Sequence, residues 1–120
     1  MSLGEKSRLG SYRDRFDIIA DILYVASRDA KKTQIMYQAN LSYKVLQRYL
    51  YDILDSSLVT FEKHKQCYTL TGKGQEYLDA YKDYARSSKS IEKHLNNFSI
   101  KKKVLEELCP VKKIISTTNT

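Results

Sequence analysis

A mainly α fold with one small β-hairpin is predicted by three observations. Residues 32–54, KTQIMYQANLSYKVLQRYLYDIL, read as two short helices joined by a tight turn. Residues 58–70 hold two short runs rich in β-branched and aromatic side chains on either side of a basic turn. Residues 75–98 contain no Pro or Gly and place apolar and aromatic residues at alternating spacings of four and three, as one long helix with a seam does.

Composition bounds the rest. With 120 residues, 42% of them hydrophobic, the chain can bury one modest core, and a second globular domain is not expected. The 21 Lys and Arg against 14 Asp and Glu give a net charge of +7, which suits a polyanionic partner. That charge is spread along the chain: residues 1–71 carry net +3 and residues 72–120 net +4, so a nucleic-acid footprint must come from gathering side chains on one face and not from a basic tail. Cys67 and Cys109 are far apart and no His stands at metal-ligand spacing, so neither a zinc site nor a disulfide framework is expected, and no cofactor is implied. No apolar run approaches the ~18 residues of a membrane span, and the expectation is a soluble, cytoplasmic protein.

In chain order, Ser11 with Asp14 three residues later resembles a capping box, so a first helix is expected from about Tyr12. Phe16, Ile19, Ala20, Leu23 and Ala26 form one apolar stripe, widened by Ile18, Ile22 and Val25, which makes this a core helix. Ser27 to Ala30 break the pattern. Lys31, Lys32 and Thr33 then begin the helix pair with positive charge beside a helix start, where a phosphate can sit.

Ile35, Met36 and Ala39 give the next helix an inner face, and Asn40-Leu41-Ser42 stops it. Asn tolerates left-handed geometry, Leu41 plugs the core, and Ser42 caps the following helix. In that helix Val45, Leu46, Tyr49, Leu50, Ile53 and Leu54 face inward, leaving Tyr43, Lys44, Gln47, Arg48 and Tyr51 outside. Such a face suits a recognition helix in a major groove. Arg48 can pair bidentately with guanine and Gln47 with adenine.

Asp55-Ser56-Ser57 ends the helix, and Leu58–Glu62 and Cys67–Leu70 are expected to pair as a hairpin with Lys63, His64 and Lys65 at its tip. A bare hairpin is only marginally stable in water, so this one must pack on the helices. The glycines of Thr71-Gly72-Lys73-Gly74 lack Walker spacing; Thr71 reads as an N-cap and Gly74 as a point of close packing. The seam of the long helix is Tyr77, Tyr81, Tyr84, Ser88, Ile91, Leu95 and Phe98. Its first half can pack on the head, but Ile91, Leu95 and Phe98 lie too far along to reach that core, so a second copy is their expected cover. A loosening at Asn96-Asn97 is expected to separate a further short helix, Ile100–Leu108, which ends at Pro110 and is followed by a disordered tail. An intramolecular hairpin of that short helix over the seam is the alternative to a dimer.

Helix, helix-turn-helix, basic hairpin and long helix, in that order, make a winged helix-turn-helix with a C-terminal extension. The runs TQIMYQANLSY (33–43) and YTLTGKG (68–74) resemble the small archaeal winged-helix chromatin proteins often called the ten-a type, over roughly residues 13–95. The resemblance implies dimers joined by an antiparallel coiled coil of the last helix, and double-stranded DNA as ligand. The expected division is a DNA-binding domain at 12–74, a dimerisation helix at 75–98 and a short helix with tail at 99–120. The DNA-binding candidates are Lys31, Lys32, Thr33, Ser42, Tyr43, Lys44, Gln47, Arg48, Tyr51, Lys63, His64 and Lys65. On this reading the protein is a transcriptional regulator or a nucleoid-associated architectural protein, and not an enzyme. The competing reading is a protein-interaction winged helix, in which Tyr37, Tyr43 and Tyr51 contact a protein partner.

Overall fold

The computed structural model describes residues 13–111. The elements run α1 (Arg15–Ala26), α2 (Lys32–Gln38), α3 (Tyr43–Asp55), β1 (Val59–Glu62), β2 (Cys67–Leu70) and α4 (Gly72–Leu108). This is a winged helix-turn-helix followed by one long helix. The cap expected at Ser11 lies outside the described residues. The capping box that starts α1 is instead Asp14 with Asp17, each carboxylate accepting from the other residue's backbone N–H at 2.8 and 2.9 Å.

The predicted stripe of α1 forms the centre of the core. Ile19, Ala20, Ile22, Leu23, Val25 and Ala26 are buried, packed with Ile35, Ala39, Leu46, Leu50, Ile53, Leu58, Val59 and Leu78. Fully burying a side chain such as Leu23 or Ile22 contributes roughly 1.5–3 kcal/mol, so this cluster dominates the stability of the head. Phe16, assigned to the stripe, is 44% exposed. In its place the polar Asp17 and Asp21 are buried, because they have partners: Arg13 donates to Asp21 at 2.8 Å and the Tyr81 hydroxyl donates to Asp17.

Helices α2 and α3 end by the same device. At the end of α2, Asn40 takes φ 55°, and the N–H groups of Leu41 and Asn40 donate to the carbonyls of Met36 and Tyr37. At the end of α3, Ser57 takes φ 61°, with Leu58 and Ser57 donating to Ile53 and Leu54. The left-handed residue turns the chain sharply, so that α3 starts at once under the Ser42 cap, whose hydroxyl accepts from Val45 N–H at 3.2 Å.

The strands pair antiparallel, Val59 with Leu70 through Glu62 with Cys67. A contact absent from the sequence reading secures the hairpin: Ala30 and Tyr68 exchange two backbone hydrogen bonds, 3.1 and 2.7 Å, as a one-residue third strand between α1 and α2. At the entry to α4, Thr71 caps the helix by accepting from Gly74 N–H at 3.0 Å. A Cβ at Gly74 would collide with the Leu58 carbonyl and the Leu70 side chain, so only glycine lets α4 lie this close to the sheet.

The expected break at Asn96-Asn97 does not occur, and there is no separate helix at Ile100–Leu108. Helix α4 runs unbroken for 37 residues, and Ile100–Leu108 extends it without folding back over the seam. Two asparagines weaken a helix by less than starting a new one costs, and neither residue adopts the left-handed geometry that would end it. At 1.5 Å per residue α4 is roughly 55 Å long, consistent with the overall extents of 76 × 27 × 25 Å. The tail from residue 112 onward lies outside the described residues.

Candidate nucleic-acid interface

The amphipathic pattern of α3 places its outer face in solvent. Leu46, Leu50 and Ile53 are buried beneath it, while Tyr43, Lys44, Gln47, Arg48 and Tyr51 are all exposed. A helix held from below by three buried aliphatic side chains is a rigid platform, and its first two turns carry the long polar side chains that base edges and phosphates require. Arg48 lies over the Tyr49 ring at 5.6 Å, which stiffens its stem and leaves the guanidinium accessible.

The other candidates fall into two groups. At the start of α2, Lys31 and Thr33 are exposed and Lys32 is half-buried. The Gln34 carboxamide reaches back to the Lys31 N–H at 3.4 Å, leaving the Lys31 ammonium in solvent. Lys32 differs from its neighbours. Its ammonium lies 4.5 Å from the centroid of the Tyr43 ring, donates to the Tyr43 hydroxyl at 3.2 Å, and donates to Oε1 of Gln47. Ser42 is occupied as the cap of α3. At the hairpin tip, Lys63, His64 and Lys65 are exposed, and the turn is braced by Gln66 at φ 55°, whose side-chain amide donates to the Lys63 carbonyl at 2.8 Å.

Two residues with no role in the sequence reading turn out to position this surface. Arg13 donates to Asp21 of α1 and to the carbonyls of Ala39 and Asn40 at 2.6 and 2.8 Å. It thereby ties the turn of the helix-turn-helix to α1 and satisfies carbonyls at the end of α2. Ala30, through its bridge to Tyr68, ties the hairpin to the loop that leads into α2. Neither partner set is local, since Arg13 reaches carbonyls 26 and 27 residues on and Ala30 pairs with Tyr68, so no spacing in the sequence marks either residue.

The seam residues divide. Tyr77 donates to the Phe16 carbonyl at 3.1 Å, Tyr81 to Asp17, and Tyr84 to Asp14, all within the same chain. Phe16 and Tyr84 meet edge to face with centroids 5.5 Å apart, and Ser88 is buried. Burial pushes the Tyr77 hydroxyl up to about 12. For Asp14, desolvation pushes upward, but the hydroxyl of Tyr84 and the hydrogen bonds from Asp17 outweigh it and hold the carboxyl below its ordinary value. Beyond Ser88, every described residue of α4 is exposed, including Ile91, Leu95 and Phe98 at 51, 55 and 63%.

Fold and surface together define a winged helix-turn-helix protein with a projecting helical arm. The model of the winged helix-turn-helix family matches residues 12–89, and the chain belongs to that family. It is 39% identical over 84 residues to an uncharacterized protein of Methanocaldococcus jannaschii; the match covers 68% of this chain and 39% of the relative, so the chain spans about two-fifths of that protein's length. Among solved structures it is similar to Sso10a-2, described as a DNA-binding protein from Sulfolobus solfataricus, with a TM-score of 0.58 and 24% identity over 83% of this chain and all of the other. That likeness is one of fold. Among the described residues no helix is long and apolar enough to cross a membrane.

Proposed function

We propose that this chain binds double-stranded DNA as a homodimer, as a transcriptional regulator or an architectural protein. The observation that carries the proposal is the exposed face of α3: five long polar or aromatic side chains stand in solvent on a helix whose other side is fixed in the core. The flanking cations at Lys31, Lys63 and Lys65 suit phosphates, and the similarity of fold to a DNA-binding protein supports the same ligand class. The head, residues 12–74, is the DNA-binding unit on this reading. The dimer rests on the uncovered Ile91, Leu95 and Phe98, with Leu105 at 67% exposure continuing their face of the helix. Pairing of two arms in antiparallel fashion would place the heads at opposite ends.

A mobility shift with random duplex DNA over a salt series tests the proposal. If about six phosphates are neutralised, log K falls against log salt with a slope of roughly −5. A slope near zero, or no shift at low salt, would sink it. The second reading, a protein-interaction module, is favoured by Tyr37, Tyr43 and Tyr51, which are 78, 59 and 71% exposed.

A further inference from the structure

Resting on the DNA-binding reading above, we propose that Lys32 is a positioning residue that fixes which base Gln47 reads, turning it from adenine toward guanine. Gln47 alone is a two-way reader. Its amide oxygen accepts from the adenine amino group while its nitrogen donates to adenine N7, which is why glutamine on a recognition helix ordinarily favours adenine.

Here the oxygen is already engaged. The Lys32 ammonium donates to Gln47 Oε1 from the first turn of α2, across the helix-turn-helix from the residue it holds. The orientation of the amide follows from chemistry: an ammonium has three donors and no acceptor, so the group turned toward it must be the carbonyl oxygen. A second hydrogen bond to the Tyr43 hydroxyl, and a seat over the face of the Tyr43 ring, hold the ammonium in place.

Two consequences follow for the outward surface. Gln47 presents its NH2 group to the groove, and an adenine amino group approaching Oε1 would bring a second donor beside a fixed positive charge. Guanine offers two acceptors on its major-groove edge, N7 and O6. Either can accept from the Gln47 NH2, and neither brings a donor up to the Lys32 charge. Lys32 thus acts through its neighbour, unlike the exposed Lys31 and Lys44.

Selection from random duplexes by the full chain tests this, with wild type, Gln47→Ala, Lys32→Met and Lys32→Arg run in parallel. Gln47→Ala should flatten one position, which defines the base facing residue 47. At that position wild type should enrich guanine over adenine by about tenfold, Lys32→Met should reverse the preference, and Lys32→Arg, which still donates to the amide oxygen, should keep guanine. Unchanged thermal melting of the variants shows that a changed profile is not a lost fold. Adenine enrichment or a flat profile in wild type, no position flattened by Gln47→Ala, or an unchanged profile in Lys32→Met overturns the role of Lys32 while leaving DNA binding intact. Failure of wild type to retain any duplex at low salt overturns the DNA-binding reading itself.

Discussion

Along α4, residues 72–88 and residues 89–108 carry one seam at the same spacing, yet only the first stretch is covered. Tyr77, Tyr81 and Tyr84 each lay an aromatic ring against the head and send a hydroxyl to α1. Ile91, Leu95 and Phe98 carry no polar handle and stand more than half exposed. The difference is chemical as well as positional. A tyrosine suits a boundary where one end is dry and the other must find an acceptor, whereas an aliphatic seam is favourable only when something apolar lies across it. A single heptad repeat is therefore divided: its first half docks the helix on its own head, and the remainder stands in solvent.

The contrast breaks most visibly if the second stretch is made polar. The double substitution Ile91→Asp with Leu95→Asp removes two side chains per protomer, each worth roughly 1.5–3 kcal/mol when buried, and should convert a dimer at micromolar concentration into folded monomers. Light scattering with circular dichroism measures both properties. A wild type that already scatters as one chain would refute the dimer.

A core substitution in the head should have the next largest effect. Leu46→Ala, beneath the outer face of α3 and fully buried, is expected to cost about 2–5 kcal/mol in denaturant unfolding, without changing the order of association of whatever remains folded.

The smallest effect sharpens the distinction between the two stretches. Tyr77→Phe keeps the ring and loses the hydrogen bond to the Phe16 carbonyl, at about 0.5–1.5 kcal/mol. It should also change the alkaline limb of stability. The folded state holds Tyr77 protonated to about 12 against an ordinary value of 10.0. Its contribution is therefore complete below pH 10 and is lost as the pH rises through 12. Melting curves from pH 9 upward should show that loss in wild type and less of it in Tyr77→Phe; parallel curves would exclude Tyr77 as its source.

Much of the fold was legible because its causes are local. The period of apolar residues located α1 and α3, Asn40 and Ser42 marked the turn by their own backbone and capping chemistry, and Thr71 and Gly74 announced the start of α4. The outer face of α3 follows from the same periodicity, which leaves Tyr43, Lys44, Gln47, Arg48 and Tyr51 in solvent. The absence of a break at Asn96-Asn97 has a local cause too: two asparagines lower helix propensity, but propagation through them is cheaper than renucleation.

What only the tertiary structure decided is which side chains meet. Arg13 reaches carbonyls 26 and 27 residues away, Tyr81 finds a carboxylate 64 residues away, and Lys32 finds Gln47 across the turn. None of these pairs leaves a periodic trace, because each depends on how two elements cross and not on what either element is. The sequence by itself determined the order of the elements up to the start of α4, most of their inward faces and the positive charge. The packing decided that the tyrosines of the seam belong to the head, that two aspartates can be buried, and that Lys32, one of the basic residues expected at a phosphate, is held by side chains of α3. Secondary structure is set by interactions a few residues apart, while partnership across a core is set by the fold as a whole.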